Sequence, residues 1–211
     1  MEAEDRIKAA IINYGLGNLR SVANALEAVG HEAFIATEPS MLDGAEKLIL
    51  PGVGAFADGM RGLREGGWIE RLERDVRERG KPLLGLCLGM QLLATTGTEH
   101  GTHDGLGWIR GTVDRLPALP DVRVPHIGWN DVKFPRPSVL HDAKAESAAF
   151  YFVHSYVFVP DDPSVVTGVT SYGADFVASV EQDNIHATQF HPEKSQHAGL
   201  AVLKRFMDLP A

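Results

Sequence analysis

Through its first half the chain alternates short unbroken apolar runs with stretches whose apolar residues recur at helical spacing. That alternation predicts a mainly parallel sheet with helices packed on its faces. Residues 8–13 (KAAIIN), 31–36 and 47–50 read as strands, and 83–86 as a fourth introduced by Lys81-Pro82. Residues 19–29 (LRSVANALEAV) put Leu19, Val22, Ala23, Leu26 and Val29 on one helical face, with Gly30 as a stop. Further helical stretches cover 56–65 and 69–79, and a helix opens at 89–94. Past residue 105 strands follow one another at 111–116, 130–134, 149–159, 165–171, 176–181 and 185–189. They predict an antiparallel extension with turns at 172–175 and 182–184, closed by a helix over 198–209. With 211 residues and no repeat or linker, one domain spanning 1–211 is expected.

Composition narrows the function classes. Hydrophobic residues are 44% and charged residues 23%, the ordinary mixture of a globular chain. A net charge of -8 without any Lys/Arg cluster argues against a nucleic-acid partner. No apolar run approaches the roughly 20 residues of a membrane span, and the charged opening MEAEDRIK argues against a secretory signal, so a cytoplasmic location is expected. One cysteine allows neither an internal disulfide nor a thiolate zinc cage. His100 and His103 share a Gly/Thr-rich stretch (TTGTEHGTHDGLG) that reads as a solvated loop, and no metal site is expected.

The stretch most informative about chemistry is Gly85-Leu86-Cys87-Leu88-Gly89, a buried strand turning through Gly-x-Cys-x-Gly into a helix. A sharp strand-to-helix turn needs small residues two positions either side of a nucleophile in strained backbone. Unpaired N–H groups at the helix start favour a thiolate and can meet an oxyanion. On these residues alone Cys87 reads equally as a small buried hydrophobe. A base is offered by Gln189-Phe190-His191-Pro192-Glu193: in extended backbone residues i and i+2 share a side, so Glu193 can orient the His191 imidazole.

Two glycine loops follow strands. Pro51-Gly52-Val53-Gly54 comes after the third, at the sheet edge where open α/β folds bind ligands, and glycines on either side let the Val53 peptide rotate. Gly15-Leu16-Gly17-Asn18-Leu19-Arg20 mimics a dinucleotide fingerprint, with Glu38 beyond it, but Arg20 stands where the third glycine belongs. Neither NAD nor FAD is expected, nor any other cofactor.

With the cysteine elbow, the His-Pro-Glu and the Pro-Gly-Val-Gly loop, the chain resembles class I (triad-type) glutamine amidotransferases over essentially its whole length. Asn13-Tyr14-Gly15-Leu16-Gly17-Asn18-Leu19, Pro125-His126-Ile127-Gly128-Trp129-Asn130, Tyr151-Phe152-Val153-His154-Ser155-Tyr156 and the Lys194-Ser195 after Glu193 are similar to the branch formed by the glutaminase subunits of imidazole glycerol phosphate synthase. That resemblance implies a flavodoxin-like α/β fold and a Cys87-His191-Glu193 triad. It further implies an oxyanion hole of the Leu88 and Val53 N–H groups, and L-glutamine held by Gly52, Gln91 and the backbone of Ser155 and Tyr156. By the same resemblance ammonia passes to a (β/α)8-barrel cyclase subunit of the histidine pathway, for which Trp129, Asn130 and Lys194 are the candidate docking face.

Overall fold

The apolar runs of the first half become four parallel strands: β1 (Lys8–Ile12), β2 (Glu32–Ala36), β3 (Lys47–Gly52) and β4 (Leu83–Cys87). The computed structural model describes residues 8–117, 119–120, 122–142 and 145–210. The helices are α1 (Leu19–Ala28), α2 (Phe56–Glu65), α3 (Trp68–Leu72), α4 (Leu88–Gln91) and α5 (Gln196–Met207). The second half supplies β5 (Thr96–Gly97), β6 (His103–Asp104), β7 (Gly111–Arg115), β8 (His126–Lys133), β9 (Ser147–His154), β10 (Tyr156–Pro160), β11 (Val166–Tyr172), β12 (Ala174–Gln182) and β13 (Ile185–Thr188). Nine strands form one sheet in the order β2-β1-β3-β4-β13-β12-β11-β8-β9, and β10-β7-β5-β6 form a smaller one.

Strand alternation sends Ala9 and Ile11 to one side of the large sheet and Ala10 and Ile12 to the other, all fully buried. Val22 and Leu26 of α1 and Phe206 of α5 cover the first side. Phe56 and Leu63 of α2 and Trp68 of α3 cover the second. Each such fully buried side chain contributes about 1.5–3 kcal/mol of burial energy, and covering both faces is what lets the parallel strands carry apolar residues on both sides. Among the described residues no helix is long and apolar enough to cross a membrane.

The predicted mainly parallel sheet with a later antiparallel part is present, with local departures. The strand over 185–189 joins the parallel half: β13 pairs parallel with β4 and antiparallel with β12, making it the junction between the two halves. The run 149–159 divides at Ser155, β9 lying at the edge of the large sheet and β10 in the small one. Strand β8 begins four residues before the predicted 130, and α5 begins two before the predicted 198. The stretch 69–79 starts as α3 and widens into a π turn over Glu73–Glu78. That turn buries the Asp75 carboxylate against Arg71, with Arg74, Arg79 and Lys81 around it. Burial works against the charge there, but Arg71 and its neighbours hold Asp75 below the usual carboxylate range.

Candidate active site

Cys87 is the last residue of β4 and the first flank of α4, with φ 53 and ψ -107. A non-glycine residue in such backbone costs about 1–3 kcal/mol and persists only where its surroundings fix it. The flanking glycines do the fixing. A Cβ at Gly89 would overlap the Leu50 carbonyl oxygen of β3, and one at Gly85 would stand 3.0 Å from the Gly89 carbonyl. Helix α4 runs only four residues instead of extending to 94, so the support it gives a thiolate comes from nearby N–H groups, not from a long summed dipole.

Parallel pairing of β13 with β4 sets Thr188 beside Leu86, so the chain leaving β13 passes Cys87. Gln189 Nε2 lies 3.6 Å from Cys87 Sγ. Beyond it His191 is 3% exposed, and its Nδ1 is 2.8 Å from Glu193 Oε1. The contact predicted for two residues on one side of a strand is made differently, because Pro192–Lys194 form a 3-10 turn that swings Glu193 back under the ring. Ser195 secures the arrangement: its hydroxyl donates to the His191 carbonyl at 2.6 Å and accepts from Tyr151 N–H at 3.0 Å. His191 N–H donates to the Tyr151 carbonyl, so this segment also closes the open edge of β9. Burial alone would lower the His191 pKa, but Cys87 and then Glu193 outweigh it and raise it to about 10. With Nδ1 taken by Glu193 and Nε2 unpaired inside the protein, the ring is poised to exchange a proton with Cys87.

In front of Cys87 opens a cavity of about 390 Å³, room for a small metabolite and not for a polymer. Val53, Gly54, Leu88, Gln91, Ser155, Tyr156 and Lys194 all line it. Gly52 is not on the wall but directly behind it, paired in register with Cys87. Gln91 Nε2 donates to the Tyr156 carbonyl at 2.9 Å and to Gln189 Oε1 at 3.0 Å. Its two N–H donors are thereby committed, so what Gln91 offers a ligand is its carbonyl oxygen.

Among the wall residues given no role from sequence, two carry polar groups. Glu99 comes from the loop read as solvated, which instead carries β5 and β6; its Oε2 accepts from Phe56 N–H at 2.9 Å and starts α2. The one available hint is that Ala55, at the start of α2, has no side chain able to cap it. His154 is the other, at the end of β9. The glycine loop after β1 packs inward: Gly17 lies against Gly52, and Asn18 Oδ1 caps α1 by accepting from Ser21 N–H. Of the predicted docking residues, Trp129 is 49% exposed and Lys194 stands over the Tyr151 ring at 5.8 Å. Asn130, next along β8, turns to the other face and donates to the Ser171 carbonyl.

The sequence model of the family Glutamine amidotransferase class-I matches residues 10–209. The chain belongs to that family. Among the relatives of this amidotransferase, the imidazole glycerol phosphate synthase subunit HisH of Moorella thermoacetica is 50% identical over 200 residues, covering 95% of this chain and 94% of that one. The HisH subunit of Aquifex aeolicus is 48% identical over 201 residues, with 95% and 96% covered. The amidotransferase therefore sits within the HisH branch. Among solved structures, PurLQS of Thermotoga maritima superposes with a TM-score of 0.76 at 21% identity, covering 96% of this chain and 98% of that one. A crystal structure of a glutamine amidotransferase gives 0.71 at 24%, covering 91% and 94%. At such identities both report the fold, and it is that of the amidotransferases.

Proposed function

We propose that this chain is the glutaminase subunit of an imidazole glycerol phosphate synthase, hydrolysing L-glutamine to glutamate and passing the ammonia to a cyclase subunit for histidine biosynthesis. The observation that carries the reading is the conjunction at one cavity of a cysteine in strained elbow backbone and a buried imidazole oriented by a carboxylate. The Cys87 thiolate attacks the side-chain amide carbon, and the oxyanion is met by the N–H groups of Leu88 and Val53. The His191 imidazolium gives its proton to the amide nitrogen, the C–N bond breaks and ammonia leaves. His191 then takes a proton from water, the hydroxide attacks the glutamyl thioester, and the sulfur departs as thiolate with glutamate released. Glu193 holds the ring in the tautomer that keeps Nε2 toward the sulfur and stabilises the imidazolium.

The amino-acid end of glutamine is held by the loop at Gly52, the carbonyl oxygen of Gln91 and the backbone of Ser155 and Tyr156. Glu99 is a further acceptor for its ammonium. The Val53 peptide, between Gly52 and Gly54, is the element a partner adjusts, because glycine on either side tolerates both orientations of that peptide; Gly54 already stands at φ 117. The partner is a (β/α)8-barrel cyclase seated over Trp129 and Lys194, with Asn130 bracing the strand from behind. The reaction belongs in the cytosol, where the lone thiol stays reduced.

The test is Cys87→Ala in the complex with the cyclase. Glutamine-dependent synthesis should be lost while synthesis from ammonium salt continues. Unchanged glutamine-dependent synthesis would overturn the reading, and equal glutamine turnover with and without cyclase would overturn the adjustment at Val53.

A further inference from the structure

Two buried histidines that the chemistry at Cys87 does not use join strand β8 to the cavity wall. His126 is 2% exposed and His154 6%, and they pair across β8 and β9. His154 Nδ1 is 2.9 Å from the Tyr156 carbonyl oxygen, and its Nε2 is 3.0 Å from His126 Nδ1. Burial pulls both pKa values down, to about 4 for His126 and about 3 for His154, so both rings are neutral near pH 7.

A carbonyl oxygen only accepts, so the His154 proton is on Nδ1 and its Nε2 is an acceptor. His126 must then carry its own proton on Nδ1. Its Nε2 is left to accept from Asn130 Nδ2, at 3.4 Å, and Asn130 Nδ2 also donates to the Ser171 carbonyl at 2.9 Å. One pair of tautomers satisfies every contact.

The string continues into the cavity. The Tyr156 carbonyl also accepts from Gln91 Nε2, Gln91 donates to Gln189, and Gln189 donates to Cys87 Sγ. Donors and acceptors are thus matched from Asn130 to the sulfur, with the Tyr156 carbonyl as the junction. Stacking holds the first ring in place, since His126 is 4.0 Å from the Tyr172 ring and 4.9 Å from that of Phe152. Phenylalanine would fill this space without the desolvation cost of two imidazoles, and what only the imidazoles supply is direction at the Tyr156 carbonyl. Strand β8 presents Ile127, 59% exposed, and Trp129 on its outer face, so a protein seated there presses on the strand that carries His126.

We propose that His126 and His154 are positioning residues that fix the Tyr156 carbonyl, and through it Gln91, and so carry the seating of a partner on β8 into the substrate cavity. The inference rests on the reading that glutamine occupies the Cys87 cavity and a cyclase covers β8.

His126→Phe keeps the stacking and removes the donor to His154. In the complex with the cyclase it should raise the glutamine KM about five- to tenfold, the loss of one neutral buried hydrogen bond, while kcat stays within about twofold. Alkylation of Cys87 by iodoacetamide, which needs no amino-acid binding, should be unchanged. His126→Asn, whose amide N–H replaces the Nδ1 donor, should restore KM. If His126→Phe fails to fold, His126→Gln, which reaches the Asn130 side and lacks that donor, takes its place with the same expectation. Wild-type KM in the Phe or Gln variant, a parallel loss of iodoacetamide reactivity, or failure of Asn to restore binding would overturn the proposal. Labelling of the unaltered chain by a glutamine-like diazo ketone, with protection by glutamine, separates the two claims. No labelling there means that the glutaminase reading has failed and this inference with it; labelling with an unaffected His126 variant means that only the inference has.

Discussion

Glu193→Gln is the substitution whose effect follows most directly from the geometry. The side chains of His191 and Glu193 are 4% and 2% exposed and meet at 2.8 Å, so an imidazolium formed there is stabilised by a carboxylate that water hardly screens. Glutamine fills the same volume but removes the charge. If its amide turns an N–H toward Nδ1, it also forces the proton onto Nε2, where the ring can no longer take one from Cys87. Breaking a buried ion pair by neutralising one partner costs about 3–5 kcal/mol, which at about 1.36 kcal/mol per factor of ten corresponds to a fall of roughly two to four orders of magnitude in kcat. Steady-state glutaminase assays of the complex with the cyclase measure it, and KM should move little because Glu193 does not line the cavity. A fall in kcat of less than tenfold would refute the account of how His191 is held.

Gly89→Ala places a Cβ onto the Leu50 carbonyl oxygen between two central strands, and denaturant unfolding should show a loss of about 3 kcal/mol, or no folded protein. The His191 pKa is raised from 6.5 to about 10 in the folded chain, so its stabilising proton is fully effective below pH 6.5 and is lost as pH rises through about 10. The Tm advantage over His191→Asn should therefore shrink across that window, and an advantage that grew with pH would contradict the shift. Lys47, fully buried, donates to the Phe206 carbonyl at 3.0 Å and to that of Leu209 at the end of α5. Lys47→Met should cost about 1–3 kcal/mol in the same unfolding measurement.

Where the sequence was informative, local chemistry and long-range pairing agreed. The four parallel strands of the first half were legible because each is built around a short apolar run, and the elbow because no residue larger than glycine fits two places either side of Cys87. The division of 149–159 was not legible: the run has no glycine, proline or asparagine at Ser155 to mark a turn. The break is made by distant partners, Leu116 N–H on the Ser155 carbonyl and Gln91 on that of Tyr156. Glu99 stayed hidden for a related reason, since its place on the cavity wall depends on α2 needing a cap from a residue 43 positions away. The contact of His191 with Glu193 was foreseen in outcome but not in means, because a 3-10 turn at Pro192 does what an extended strand was expected to do. Hydrogen bonds spanning the chain leave no period in the sequence, and the bond that joins His126 to His154 across β8 and β9 is one of them.

The central claim is that one sulfur, at the end of β4, takes up the glutamyl group. Incubating the chain with a glutamine-like diazo ketone and mapping the modified peptides tests it directly. A single adduct is expected, on Cys87, and its formation should slow when glutamine is present. An adduct on any other residue, or one formed at the same rate with saturating glutamine, would contradict it.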